Sequence, residues 1–213
     1  LKCDADASFL FGAFYRSTKD KIGRILYQDD INPDKQIISY TNYNNADSYG
    51  VELSASYKPV KWWTIRPSAE LYEQESNGII NNQLETVNNT LFRSRIRNSF
   101  KISKRFRLQA SASYRGQSRN VQFIIDPYVM FNASARWTVL EGKGTLSLRG
   151  TDIFNNVNLK FSSTNPFPQN GYYILEYNAI YIGFTYNFGS GKNKERNRKY
   201  RDENETQASG GIL

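Results

Sequence analysis

The feature that most constrains this chain is a two-residue alternation of apolar and polar side chains, repeated in segment after segment. Period two is the repeat of a β-strand with one face against an apolar phase. In the segment ending at Phe188, Ile180, Ile182, Phe184, Tyr186 and Phe188 form one face, against the smaller and more polar Ala179, Tyr181, Gly183, Thr185 and Asn187. In 105–115, Phe106, Leu108, Ala110, Ala112 and Tyr114 alternate with Arg107, Gln109, Ser111, Ser113 and Arg115. The same reading holds for 48–57, 62–72 and 128–139. It is less regular in 91–102, where Ser94 and Asn98 share the face of Phe92, Ile96 and Phe100, and in 145–154. In 6–17, Phe9, Phe11, Ala13 and Tyr15 face one way, with Leu10 and Phe14 on the polar side. Eight antiparallel strands are expected.

The charges decide what the apolar face meets. Arg66, Arg93, Arg95, Arg97, Arg107, Arg115, Arg136 and Arg149 all fall on the polar face, as do Glu52 and Glu70. An arginine facing lipid at mid-membrane costs about 2–4 kcal/mol. A chain whose outward positions named above are all uncharged at membrane depth reads as a barrel with hydrocarbon outside and water inside.

Bulk composition is compatible with this. Mean hydropathy is -0.64, and no run of about 18 apolar residues could cross a bilayer as a helix. A barrel strand needs an apolar residue only at alternate positions, so its average hydropathy stays low. The aromatic content of 15 % suits strands and interfacial belts. Short turns at 58–61, 103–104 and 140–144 alternate with longer polar stretches near 18–37, 75–88, 116–127 and 155–175. That asymmetry places the short turns in the periplasm. Trp62, Trp63 and Trp137 flank short turns, and Tyr15, Tyr72, Tyr128 and Tyr177 are expected to form the opposite belt.

Residues 1–188 are therefore expected to be strands of an all-β, antiparallel up-and-down transmembrane barrel. Residues 189–213, GSGKNKERNRKYRDENETQASGGIL, are expected to be a polar, flexible periplasmic tail. The N-terminus has no leader-like pattern, so a mature or truncated chain is expected, truncation being favoured. Histidine is absent and Cys3 is the only cysteine, which removes the commonest general base and any cysteine-based metal site. Gly189-Ser190-Gly191-Lys192 lacks the spacing of a phosphate-binding loop. Asp29/Asp30 and Asp202/Glu203 have no partner spaced for acid–base work. No enzyme activity, cofactor or metal is expected.

The candidate functional residues are lumen-facing cations: Arg93, Arg95 and Arg97 as a ladder on one strand, with Arg66 and Arg107 beside it. With a net charge of +8, such a wall would attract an anionic solute. The structural reading is a solvated wall balanced by Glu52, Glu70 or a plug.

Three stretches carry a resemblance. NADSYGVELSASYKPVKWWTI (45–65) resembles a strand–turn–strand of TonB-dependent receptor barrels of Gram-negative bacteria. GTDIFNN (150–156) looks like the D-I-F-N element near the end of such barrels, and YIGFTYNFG (181–189) is similar to their closing strand. The resemblance implies a barrel of about 22 strands with an N-terminal plug, contact with the TonB system, and nutrient uptake across the outer membrane. This chain would then be the last part of a larger barrel, with outer-membrane lipid as a partner, plug and TonB contacts lying outside it, no nucleic acid, and a solute that is unknown.

Two alternatives stand beside that reading. One is a complete eight-stranded membrane barrel with a structural or adhesion role. The other is a soluble basic β-barrel that binds single-stranded nucleic acid through arginine and aromatic side chains.

Overall fold

The computed structural model describes residues 6–188 other than 81, 82 and 166. In chain order the strands are β1 (Asp6–Gln28), β2 (Gln36–Val60), β3 (Trp63–Ile80), β4 (Gln83–Lys101), β5 (Phe106–Arg115), β6 (Ser118–Arg119), β7 (Phe123–Ile125), β8 (Tyr128–Val139), β9 (Gly144–Thr151), β10 (Leu159–Ser163), β11 (Gln169–Tyr173) and β12 (Ala179–Tyr186). Eight form one antiparallel sheet in the order β1-β2-β3-β4-β5-β8-β9-β12. Every neighbour in that sheet is the next long strand in sequence, the up-and-down order that the alternation predicts. The sheet is open: among the described residues β1 and β12 do not pair with each other.

Outward positions carry the large apolar side chains, and they are bare: Phe9 is 77 % exposed, Phe11 70 % and Ile182 81 %. A water-soluble protein rarely exposes a continuous apolar band of this kind, whereas a membrane wall requires it. The buried apolar residues are few and sit instead towards the long-loop end, among them Leu26, Val87, Leu91 and Leu159. The polar face is concave. Phe14 of β1 meets Tyr72 of β3 across the intervening strand, with ring centroids 6.2 Å apart, because β2 carries Gly50 at that register.

Local chemistry explains the irregularities. The β2–β3 ladder passes from Ser54–Ser68 to Tyr57–Ile65 without the intervening pairs, where Pro67 has no N–H to donate. Asn98, a polar residue on the lipid side, accepts a 3.0 Å hydrogen bond from the Trp63 indole nitrogen. Trp63 in turn stacks on Phe100 and Trp62, the girdle of aromatics expected beside the short turn. At the turn after β8, Leu140 and Glu141 take positive φ angles of 50° and 54° before Gly142.

Two expectations need correction. The stretches 18–37 and 75–88 are chiefly strand: β1 to β4 run for 23, 25, 18 and 19 residues, about twice a membrane crossing of 9–11. Beyond hydrocarbon neither face must be apolar, so the alternation that marks strands fades there although pairing continues. The stretches 116–127 and 155–175 are likewise not plain loops, for they supply a second sheet of order β11-β10-β7-β6. In the belt, Tyr72 and Tyr128 belong to the polar face, Tyr72 against Phe14 and Tyr128 opposite Arg115. Tyr15 does face outward, 69 % exposed. The expected tail, 189–213, lies outside the described residues, as does Cys3.

Candidate functional site

The concave face is built by strand register. Each outward apolar residue leaves its two neighbours pointing inward, and pairing across strands lines the inward residues up in rows. From the short-turn end, one row joins Lys101, Arg107, Arg136 and Ser147. Another joins Arg66, Arg97, Ser111 and Asn132. Above it come Ser54, Ser68, Arg95 and Ser113, then Gly12, Glu52, Glu70, Arg93 and Arg115. Next is an apolar row, Phe14, Gly50, Tyr72 and Leu91, with Leu91 fully buried.

All five predicted cations stand on this face. Arg93, Arg95 and Arg97 are half-buried, and Arg66 and Arg107 are exposed. Arg95 Nε donates to Ser113 Oγ at 3.1 Å. Arg93 Nη1 lies 3.9 Å from Glu70 Oε2, and its guanidinium stands 5.4 Å from the Tyr72 ring centroid. The ladder is therefore partly balanced by Glu70. Register also places like charges opposite one another: Arg66 and Arg97, Arg93 and Arg115, Lys101 and Arg107, Arg107 and Arg136. Such pairs repel, less so where the polar face meets water than in a dry interior.

Above the rows, the second sheet reaches back to β1. Gln122 is buried, accepts from Leu26 N–H at 2.7 Å and donates from Nε2 to Leu26 O at 2.6 Å. The amide thus does for Leu26 what a neighbouring strand would do. Arg24 donates to the Tyr173 hydroxyl at 2.9 Å, and the Arg119 N–H donates to Asn89 Oδ1 at 2.8 Å. Phe123, Phe161 and Tyr173 form the sheet's own small core. Beside it is a cavity of about 20 Å³, lined by Arg24, Asn120, Leu159 and those rings, room for a single water.

The D-I-F-N element is a junction and not part of the lumen. Asp152 is buried at φ 42°. Its carboxylate accepts the N–H groups of Asn156 and Val157, both at 3.0 Å. Its own N–H donates to Asn132 Oδ1 at 3.0 Å, and its carbonyl accepts from Asn178 Nδ2 at 2.8 Å. The last three strands of the large sheet are joined there.

Sequence reasoning did not single out Lys21. It lies beyond the alternating part of β1, just after Asp20 at φ 52°, and no periodic signal assigns it to a face. In the structure it is enclosed near Arg115, and burial followed by that charge holds its ammonium below the usual lysine range. Among the described residues no group of three histidine, cysteine or carboxylate side chains could hold a metal ion.

No match was found among curated proteins or among solved structures. A family model does match, over residues 1–186. With its alternating wall, lipid-ready outer face and wet inner face, the chain belongs to the outer membrane protein β-barrel family.

Proposed function

We propose that this chain is the C-terminal wall of a larger, solute-conducting barrel of the TonB-dependent receptor type. Its short turns and tail lie in the periplasm, it carries no catalysis of its own, and a plug and the TonB system act through parts outside it. The observation that carries the reading is a mismatch at the sheet's two edges. β1 is 23 residues long and pairs with β2 from Asp6 to Gln28, whereas β12 has eight residues. Closing the sheet on itself would leave most of β1's outer edge without a strand, and open edges are what barrels abolish. A preceding strand along β1 up to Leu26, whose backbone groups Gln122 already takes, would cover it. The resemblance at 45–65, 150–156 and 181–189 points the same way.

Cross-linking in outer membranes tests this. With Cys3→Ser as background, Ser8→Cys is combined in turn with Tyr181→Cys, Gly183→Cys and Thr185→Cys. A larger wall keeps the edges apart, and no pair forms a disulfide within the chain. Efficient cross-linking of any pair would mean that eight strands close by themselves, the number that makes a small barrel.

A further inference from the structure

The long-loop end of the lumen gathers cations in excess of carboxylates. Arg93 and Arg115 are directly opposed in the β4–β5 register. Lys21, on β1, stands within electrostatic reach of Arg115, although three strands of the sheet lie between β1 and β5. Arg16 stands within electrostatic reach of the Tyr72 hydroxyl, as Arg93 and Arg115 do. Glu70, 3.9 Å from Arg93, supplies one negative charge, and Glu52 is its cross-strand neighbour.

One atom is left over. Arg115 Nε is buried and has no hydrogen-bond partner. A buried donor without an acceptor is costly, and so are like charges held side by side. An anion seated among these groups would relieve both. Guanidinium is the side chain best shaped for that purpose, since its planar fork matches the oxygens of phosphate or carboxylate.

We propose that Lys21, Arg93 and Arg115 form a binding site for a multivalent oxyanion at the outer entrance of the lumen. The inference rests on the solute-conducting reading above and gives that solute a chemical class. The site faces the lumen, so its occupant is a solute and not a lipid headgroup. Below it, the Arg95 row, the Arg66–Arg97 row, the Ser99–Gln109–Ser134–Arg149 row and the Lys101–Arg107–Arg136 row follow at steps of about 6.6–6.8 Å. A released anion meets another cation at each step.

The test uses the full-length protein in lipid nanodiscs, titrated calorimetrically with tripolyphosphate and with citrate at low salt. Saturable binding that weakens as salt is added is expected. Lys21→Met combined with Arg115→Gln should weaken it at least tenfold, and Lys104→Gln, at a short turn, should leave it within twofold. Tighter binding of tripolyphosphate names phosphate as the preferred group, and tighter binding of citrate names polycarboxylates. No saturable binding of either anion, or undiminished binding by the double variant, overturns the site. If the double variant does not fold, Lys21→Met alone is read: a loss of threefold or more supports the site, and no loss overturns it. Binding is measured without transport and the edge cross-link without ligand, so each reading can fail alone.

Discussion

Phe14 and Tyr72 pack ring against ring, 6.2 Å between centroids, although a whole strand separates the strands that bear them. The contact exists because Gly50 stands between them, and a Cβ there would collide with the Tyr72 Cβ and the Leu71 carbonyl oxygen. Gly50→Val should destabilise the wall by about 1–3 kcal/mol, the usual cost of overpacking. Urea unfolding of the reconstituted protein, followed by Trp fluorescence, measures it. An unchanged midpoint would mean that the rings do not depend on the gap.

Asp152 tests the junction of the last strands. Asp152→Ala removes the acceptor for two backbone N–H groups, of which that of buried Val157 costs about 1–3 kcal/mol when left unsatisfied. Asp152→Asn keeps one acceptor and tolerates the positive φ, so it should cost less than alanine. Unfolding midpoints of the two variants compare them directly, and equal losses would assign the effect to the backbone alone.

The inside–outside assignment has its own test in β8. Ala133 faces out between Ala110 and Gly150, and Ser134 faces in between Gln109 and Arg149. Ala133→Arg should cost about 2–4 kcal/mol in a bilayer, while Ser134→Arg enters a wet lumen and should fold nearly as well as the parent. The folded fraction in liposomes, read by heat-modifiable gel migration, separates them. Equal effects would reverse the faces.

Gln122 fastens the second sheet to β1. Gln122→Glu replaces the donor to Leu26 O with a carboxylate oxygen while keeping an acceptor. The expected outcome is faster exchange of the Leu26 amide and easier proteolysis within 116–127, with the wall intact. Unchanged exchange at Leu26 would show that the clamp contributes nothing.

One ion pair sets a pH response at the short-turn end. Lys58 Nζ lies 2.8 Å from Asp6 Oδ2, and that hydrogen bond, with the lysine's charge, holds the Asp6 carboxyl below its ordinary value. A depressed carboxylate stabilises the fold at pH above its unfolded value, about 3.9, and loses that contribution as pH falls through the folded one. The start of β1 should therefore fray below about pH 4. Asp6→Asn should remove the response, as followed by NMR titration of backbone amides near Asp6.

How much was legible beforehand follows from which side chains had to answer to lipid. The eight wall strands, their faces and the placement of Arg66, Arg93, Arg95, Arg97 and Arg107 could be read because hydrocarbon enforces alternation residue by residue. The outer halves of β1 to β4 could not, since no hydrocarbon enforces alternation there and residues such as Gln36 and Asn45 follow no period. The second sheet was hidden for another reason. Its strands are as short as Ser118–Arg119, and its attachment joins Gln122 to Leu26, 96 positions apart. Asp152 was noticed as part of a motif, but its role depends on Asn132 and Asn178, supplied by other parts of the chain.

The unequal strand lengths carry a consequence for what the wall presents beyond the bilayer. A bilayer covers every strand to the same height, so the extra residues of β1 to β4 rise beyond it, as a screen on one side of the wall. Its crest, with Ile31 94 % exposed, is tied neither to lipid nor to the lumen. An epitope or dye placed there would report from beyond the bilayer without disturbing the wall. Sequence change should also accumulate there fastest, because fewest neighbours object to it.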